Sequence, residues 1–199
     1  MKIAPNFTST EWLSLDLESG NEEHWQTAID ALQGRLYSRY IEPVDLLLES
    51  ERGLEEKDRR YGFTILAIDL LLMETLQAFK EGIPDTIGQS KKVFKRYLEQ
   101  SPSFSKFFTT EDQREAFYVS FRCGILHQAE IQGPAIVWSL GDLYERADRL
   151  EVLNRTEVHS AVKGDLDDYL TDLRDPTHTD ERSRFKYKMD SIANRAPAV

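Results

Sequence analysis

Residues 61–80 read YGFTILAIDLLLMETLQAFK. Apolar side chains would cover almost every side of a helix with this sequence, which is typical of a helix at the centre of a bundle. Gly82 and Pro84 follow it and predict its end. The longest apolar run inside it, residues 65–73, contains Asp69 and is far shorter than the ~20 residues that span a bilayer. We therefore predict a buried central helix and no membrane segment.

Further helices are predicted on both sides of the central one. Apolar residues recur at three- and four-residue steps, and helix-start signals stand at Asn21 and Thr110. The predicted helices are 21–40, 61–80, 90–100, 110–124, 143–150, 157–173 and 182–192, with a kink or interruption at Pro43. The turn residues Gln132, Gly133 and Pro134 predict a small β-hairpin near residues 131–138. The predicted fold class is all-α. We expect a helical bundle, either with or without this small hairpin.

The helical segments divide the chain into four parts. Residues 1–20 are an N-terminal extension, and residues 21–130 are the helical bundle. Residues 131–175 contain the hairpin and additional helices packed on the bundle, and residues 176–199 are a C-terminal segment. The chain has no internal repeat that would suggest another division.

Charge and composition exclude several classes of function. The 199 residues carry a formal net charge of -10, so the surface as a whole repels the phosphates of nucleic acids. The single cysteine, Cys123, excludes an intrachain disulfide and a cysteine-based zinc cluster. No group of histidines has metal-ligand spacing, and His24, His159 and His178 lie among polar residues, so we expect them to be exposed. We expect a cytoplasmic protein without a metal or cofactor.

The clearest chemical signal is the pair Arg122 and His127. They lie five residues apart in the segment RCGILH, directly after the apolar residues 117–121. Arginine is a permanent cation and histidine titrates near neutral pH, and such groups rarely lie at the end of a buried helix without a partner or a task. The structural alternative is an ion-paired arginine beside a helix-end histidine.

This segment, with Tyr118 and Phe121 before it, resembles the motif of the HEPN superfamily, in which four to six residues separate an arginine from a histidine. The preceding order of a long helix, a buried helix and a shorter basic helix is also similar, so the resemblance covers roughly residues 21–130. HEPN domains are helical bundles that commonly dimerise, and many are metal-independent ribonucleases of toxin and phage-defence systems. The resemblance implies that Arg122 and His127 are the catalytic pair. The sequence departs from the family motif at Cys123, the position directly after the arginine, where the family often has a polar residue.

Metal-free cleavage of RNA suits these residue types. A base must take the proton of the ribose 2′-hydroxyl and an acid must protonate the leaving oxygen, while a guanidinium can bind the developing phosphorane charge. Residues five apart on an α-helix point about 140° away from each other. A single imidazole, moreover, does not easily perform both proton transfers. Either Gly124 loosens the helical turn, or two protomers of a dimer pool their pairs at an interface.

Two carboxylates and four basic side chains are the other candidate residues. Asp69 lies near the middle of the apolar arc of the central helix, so its charge needs a buried partner, and we expect that partner to be Arg122. Glu74 lies on a less apolar side and faces either the site or water. The candidate RNA-binding residues, which could instead form a solvated face, are Lys91, Lys92, Lys95 and Arg96.

We therefore expect a metal-independent endoribonuclease that cleaves RNA at the interface of a homodimer. It would be a toxin or phage-defence effector whose antitoxin or defence partner the sequence does not identify. The alternative is a catalytically silent HEPN-like interaction module or a nucleotide-sensing module, in which Arg122 and His127 only stabilise the bundle. The negative net charge favours the alternative, and the apolar surroundings of the pair favour the nuclease.

Overall fold

A computed structural model describes residues 1–147 and 149–195. Helices make up 62% of the chain, which confirms a mainly α-helical fold. The α-helices are α1 Ser9–Leu13, α2 Glu22–Leu36, α3 Glu42–Ser50, α4 Gly62–Lys80, α5 Ser90–Gln100, α6 Glu111–Phe117, α7 Arg155–Arg174 and α8 Thr179–Ala193. Two π-helices span Tyr37–Ile41 and Tyr118–Gln128, and a 3-10 helix spans Glu56–Asp58. The strands are β1 Lys2–Ala4, β2 Phe7–Thr8, β3 Ala135–Trp138, β4 Tyr144–Ala147 and β5 Leu150–Asn154.

The central helix of the bundle is α4, as predicted. Leu66, Leu70 and Met73 are fully buried, and the helix packs against α3, α5, α7 and α8. Burying a side chain of this size contributes about 1.5–3 kcal/mol, so α4 supplies a large part of the core. Within the described residues, α4 is also the one helix long and apolar enough to cross a membrane, a test that buried core helices pass as well.

The other predicted helices around α4 are largely confirmed. The bounds of α5 are those predicted, and α7 and α8 contain the segments 157–173 and 182–192. α6 begins after Thr110, whose hydroxyl accepts a hydrogen bond from the Gln113 N–H at 3.3 Å. The interruption predicted at Pro43 is a change from π to α hydrogen bonding rather than a break. The proline lies in the first turn of α3, where its missing N–H removes no helical bond.

A three-stranded sheet forms between the second π-helix and α7, and two predictions for this segment are wrong. β3 runs parallel to β5, and β4 runs antiparallel to β5, in the order β3-β5-β4. The hairpin is therefore β4 and β5 rather than residues 131–138. The segment 143–150, predicted as a helix, instead contains β4, Tyr144–Ala147, and the first residue of β5, Leu150. Hydrophobic periodicity does not separate helix from strand in such short runs, and pairing with β5 decides the outcome here.

The N-terminal residues contribute to the hydrophobic core. Ile3 is fully buried and Trp12 is 2% exposed. The Trp12 ring meets Phe185 of α8 edge-on with 5.7 Å between centroids, and its Nε1 donates to Asp190 Oδ1 at 2.8 Å. Residues 1–20 and α8 thus close one side of the bundle together.

Candidate functional site

The second π-helix, Tyr118–Gln128, brings Arg122 and His127 into contact. Hydrogen bonds in a π-helix join residues five apart, so side chains at this spacing lie on the same side of the helix. The Arg122 Nη1 and His127 Nε2 atoms are 3.0 Å apart. The separation of about 140° expected for a regular α-helix is therefore wrong for this segment. The sequence left two options open, a loosened helical turn and a dimer interface. The π-helical turn brings the pair together within one chain, so this contact needs no second protomer.

The chemistry of arginine sets the direction of this hydrogen bond. A guanidinium has only donors, so Arg122 Nη1 donates and His127 Nε2 accepts. His127 is exposed, whereas only 15% of the Arg122 side chain is accessible to solvent. The pair thus combines an exposed imidazole with a cation that the bundle holds in place.

Glu74 of α4 holds the guanidinium from the other side. Its Oε2 accepts hydrogen bonds from Arg122 Nη2 at 2.9 Å and from Ser90 Oγ, at the start of α5, at 2.6 Å. The Arg122 guanidinium also lies 5.5 Å from the centroid of the Tyr118 ring. The sequence left Glu74 facing either the site or water, and the structure places it against Arg122 with only 11% of its side chain exposed. Ser90 was not among the predicted residues, because a serine at a helix start is usually only a local cap.

Asp69, the second predicted carboxylate, lies in a different cluster. It is fully buried, as expected, but its partner is His159 rather than Arg122. His159 Nδ1 is 2.8 Å from Asp69 Oδ1, and His159 Nε2 is 3.3 Å from Asp45 Oδ1. Burial raises the pKa of Asp69 to about 6, and the hydrogen bond from His159 offsets part of that rise. The cluster joins α3, α4 and α7 and touches neither Arg122 nor His127.

The prediction that His159 is exposed is wrong, since only 2% of the residue is accessible. Its polar sequence neighbours hide its position on the inner face of α7. That face carries Val158, Val162 and Leu166, which are almost completely buried. The three-residue step from His159 to Val162 is the signal that would have placed the histidine inside.

The predicted RNA-binding residues lie along one side of α5, beside the Arg122 and His127 pair. They line a groove of about 350 Å³ together with Arg114, Glu99 and Glu111. Three of them form ion pairs, which are Lys91 with Glu115, Lys95 with Glu111 and Glu115, and Arg96 with Glu81. Lys92 is exposed. The Tyr118 ring links the groove to the pair. The Lys91 Nζ lies 5.9 Å from its centroid and the Arg122 guanidinium lies 5.5 Å from it.

A further buried ion pair, Glu51 with Arg155, was not predicted from the sequence. The two residues are 4% and 3% exposed. Burial alone would raise the pKa of Glu51, but backbone N–H groups of Arg60 and Tyr61, together with Arg155, hold it below its ordinary value. The sequence carries no signal for this pair, because its members are 104 residues apart.

The site itself contains an imidazole, a guanidinium and a carboxylate in contact, which can perform acid–base and electrostatic chemistry. Within residues 1–147 and 149–195, no group of three or more His, Cys, Asp or Glu residues is arranged to hold a metal ion. Comparison with protein-family models, curated proteins and solved structures returned no significant match.

Proposed function

We propose that this chain is a metal-independent endoribonuclease whose catalytic pair is Arg122 and His127. The observation that carries the proposal is the 3.0 Å contact between the Arg122 guanidinium and the imidazole of His127, an exposed residue. Glu74 holds the arginine at 2.9 Å. A base and a phosphate-binding cation at this distance are what cleavage through the ribose 2′-hydroxyl requires.

The reaction starts when a phosphate of the RNA replaces His127 as the acceptor of the Arg122 Nη1 hydrogen bond. His127 Nε2 is then free to take the proton of the 2′-hydroxyl. The 2′-oxygen attacks the phosphorus, the bond from phosphorus to the 5′-oxygen breaks, and Arg122 stabilises the negative charge of the phosphorane. The products are a 2′,3′-cyclic phosphate and a 5′-hydroxyl.

The leaving 5′-oxygen needs a proton from the side opposite to the base, and His127 of a second copy of the chain would supply it as an imidazolium. Two exposed apolar side chains beside the site support such a dimer. Leu71 lies one helical turn before Glu74 and is 39% exposed, and Val119 lies three residues before Arg122 and is also 39% exposed. Apolar residues at this position fit a two-fold contact that pools the two pairs.

The groove along α5 supports RNA as the substrate. Five basic side chains and two acidic ones line it, in a protein whose formal net charge is -10. Carboxylates paired with Lys91, Lys95 and Arg96 offset part of this positive charge. The excess of basic side chains in the groove still favours a phosphate backbone that the rest of the surface repels. The groove adjoins Arg122, so an RNA strand bound there would pass the catalytic pair.

The resemblance to HEPN proteins extends the proposal to a biological role. The order of the helices and the spacing of Arg122 and His127 resemble those of HEPN ribonucleases in toxin and phage-defence systems. A toxin or defence effector, with an antitoxin or defence partner, is the role we propose on this basis.

The test is incubation of the purified protein with single-stranded RNA and DNA in EDTA. We expect the RNA to be cut with 2′,3′-cyclic phosphate ends and the DNA to survive, because DNA lacks the nucleophile. Arg122→Ala and His127→Ala should remove the activity and retain the wild-type circular dichroism. Arg52→Ala, at an exposed position, and His178→Ala, at a half-buried position outside the site, are matched controls and should remain active. RNA left intact by folded, dimeric wild-type protein would refute the proposal.

Dimer formation is tested separately by light scattering at a protein concentration of tens of micromolar. We expect a dimer for the wild type and a monomer with reduced activity for Leu71→Glu. Leu46→Glu is the control, since Leu46 of α3 is 71% exposed and lies away from the site. A wild-type monomer would remove the source of the second histidine.

A catalytically silent interaction or nucleotide-sensing module is the second candidate. The observation that favours it is the largely buried contact of Arg122 with Glu74, whose side chains are 15% and 11% exposed, as in a structural ion pair. In that case Arg122→Ala would lower the melting temperature without any activity to lose.

A further inference from the structure

The chain reverses direction at the end of the second π-helix and returns along its own surface. Ala129 has a φ of 55°, in the left-handed region. Its N–H donates to the carbonyl of Gly124, and the Glu130 N–H reaches the same carbonyl at 3.3 Å. The Gln132 N–H then donates to the carbonyl of Ser120 at 3.1 Å. We refer to residues 129–132 as the return segment.

The return segment fits against the helix because residue 124 is a glycine. A Cβ at this position would lie 2.5 Å from the Glu130 carbonyl oxygen and 3.2 Å from the Gln132 nitrogen. Both atoms belong to the backbone, so no side chain can rotate away to make room. Gly164 in α7 provides the contrast, since a Cβ there would meet nothing within 4 Å.

The two carbonyls that the return segment binds lie on either side of Arg122 in the sequence. The bond from Ala129 to Gly124 joins residues five apart and is itself a π-type hydrogen bond. If the return segment were displaced, residues 118–128 could adopt the commoner α-helix. Arg122 and His127 would then point about 140° apart, and their contact would be lost.

We infer that Gly124 is a positioning residue for the Arg122 and His127 pair. By leaving room for the return segment, it keeps Tyr118–Gln128 in the π form, and the π form aligns the two side chains. The effect on RNA cleavage rests on the proposed function, whereas the effect on the contact itself does not. Gly124 touches neither the RNA nor the reacting atoms and acts through Arg122 and His127.

The experiment compares Gly124→Ala with Gly164→Ala in the full chain. The readout that does not depend on activity is the ¹⁵N NMR signal of the His127 ring, which reports whether Nε2 accepts a hydrogen bond. We expect Gly124→Ala to give the signal of a solvent-exposed histidine and Gly164→Ala to give that of the wild type. In RNA cleavage, kcat should fall by about a hundredfold for Gly124→Ala, while KM stays close to the wild-type value because the groove along α5 is unchanged.

A folded Gly124→Ala protein with the wild-type His127 signal would overturn the inference. If Gly124→Ala does not fold, Gln132→Pro replaces it, because proline removes the N–H that binds the Ser120 carbonyl without adding an atom at residue 124. Loss of the His127 contact in that variant supports the inference, and its retention refutes it. If the wild type has no ribonuclease activity, the NMR comparison still tests whether Gly124 positions His127, so the two proposals can fail separately.

Discussion

The ionisation of Asp69 gives a prediction about the pH dependence of stability. The carboxylate is fully buried, the His159 Nδ1 lies 2.8 Å from its Oδ1 atom, and the negative charge of Asp45 raises its pKa further. Lys163 donates to Asp45 at 2.7 Å and moderates that charge. Among the residues that the structure describes, the buried Oδ2 atom of Asp69 has no hydrogen-bond partner, so the charged form is poorly solvated.

The magnitude follows from the shift in the pKa of Asp69, which burial raises from its ordinary value of 3.8 to about 6. Each pKa unit is worth about 1.4 kcal/mol, so the shift corresponds to about 3 kcal/mol. A raised pKa in the folded state favours folding below the pKa of the unfolded chain, and this contribution is lost as the pH rises through about 6. Asp69→Asn cannot ionise and does not have this dependence.

The assay is urea unfolding of the wild type and of Asp69→Asn at several pH values, followed by tryptophan fluorescence. Between about pH 4 and about pH 7, the free energy of unfolding of the wild type should fall by about 3 kcal/mol relative to the variant. Asp58→Asn, at an exposed position, is the control and should show no such trend. A difference between wild type and Asp69→Asn that is constant with pH, or that changes in the opposite direction, would refute the reasoning.

Two further substitutions test other parts of the structure. Arg155→Ala leaves Glu51 buried without its ionic partner and should lower the free energy of unfolding in urea by about 3 kcal/mol; a loss below about 1 kcal/mol would contradict a buried pair. Ala129→Gly removes the cost of a left-handed conformation, which is about 1–2 kcal/mol for an alanine. The greater conformational entropy of glycine in the unfolded chain offsets part of this gain in stability. The substitution should raise the melting temperature by roughly 2 °C, and a lower melting temperature would count against this origin of strain.

The helices and the catalytic candidates could be predicted from the sequence because their signals are local. The apolar pattern of residues 61–80 predicts α4, and the capping residues Thr110 and Gln113 predict the start of α6. The spacing of Arg122 and His127 likewise draws attention to the segment that the structure places beside Glu74. In each case the deciding contacts are made within a few residues of the chain.

The tertiary structure decided the strands, the partner of Asp69 and the alignment of Arg122 with His127. The strands at 135–154 depend on pairing between segments, and the partner of Asp69 lies 90 residues away on α7. The alignment depends on the π-helix, which we infer the return segment maintains by packing against Gly124. Periodicity reports only which face of a segment is buried. The choice among buried partners and helical forms is made by packing and hydrogen bonds between parts of the chain that come together only on folding.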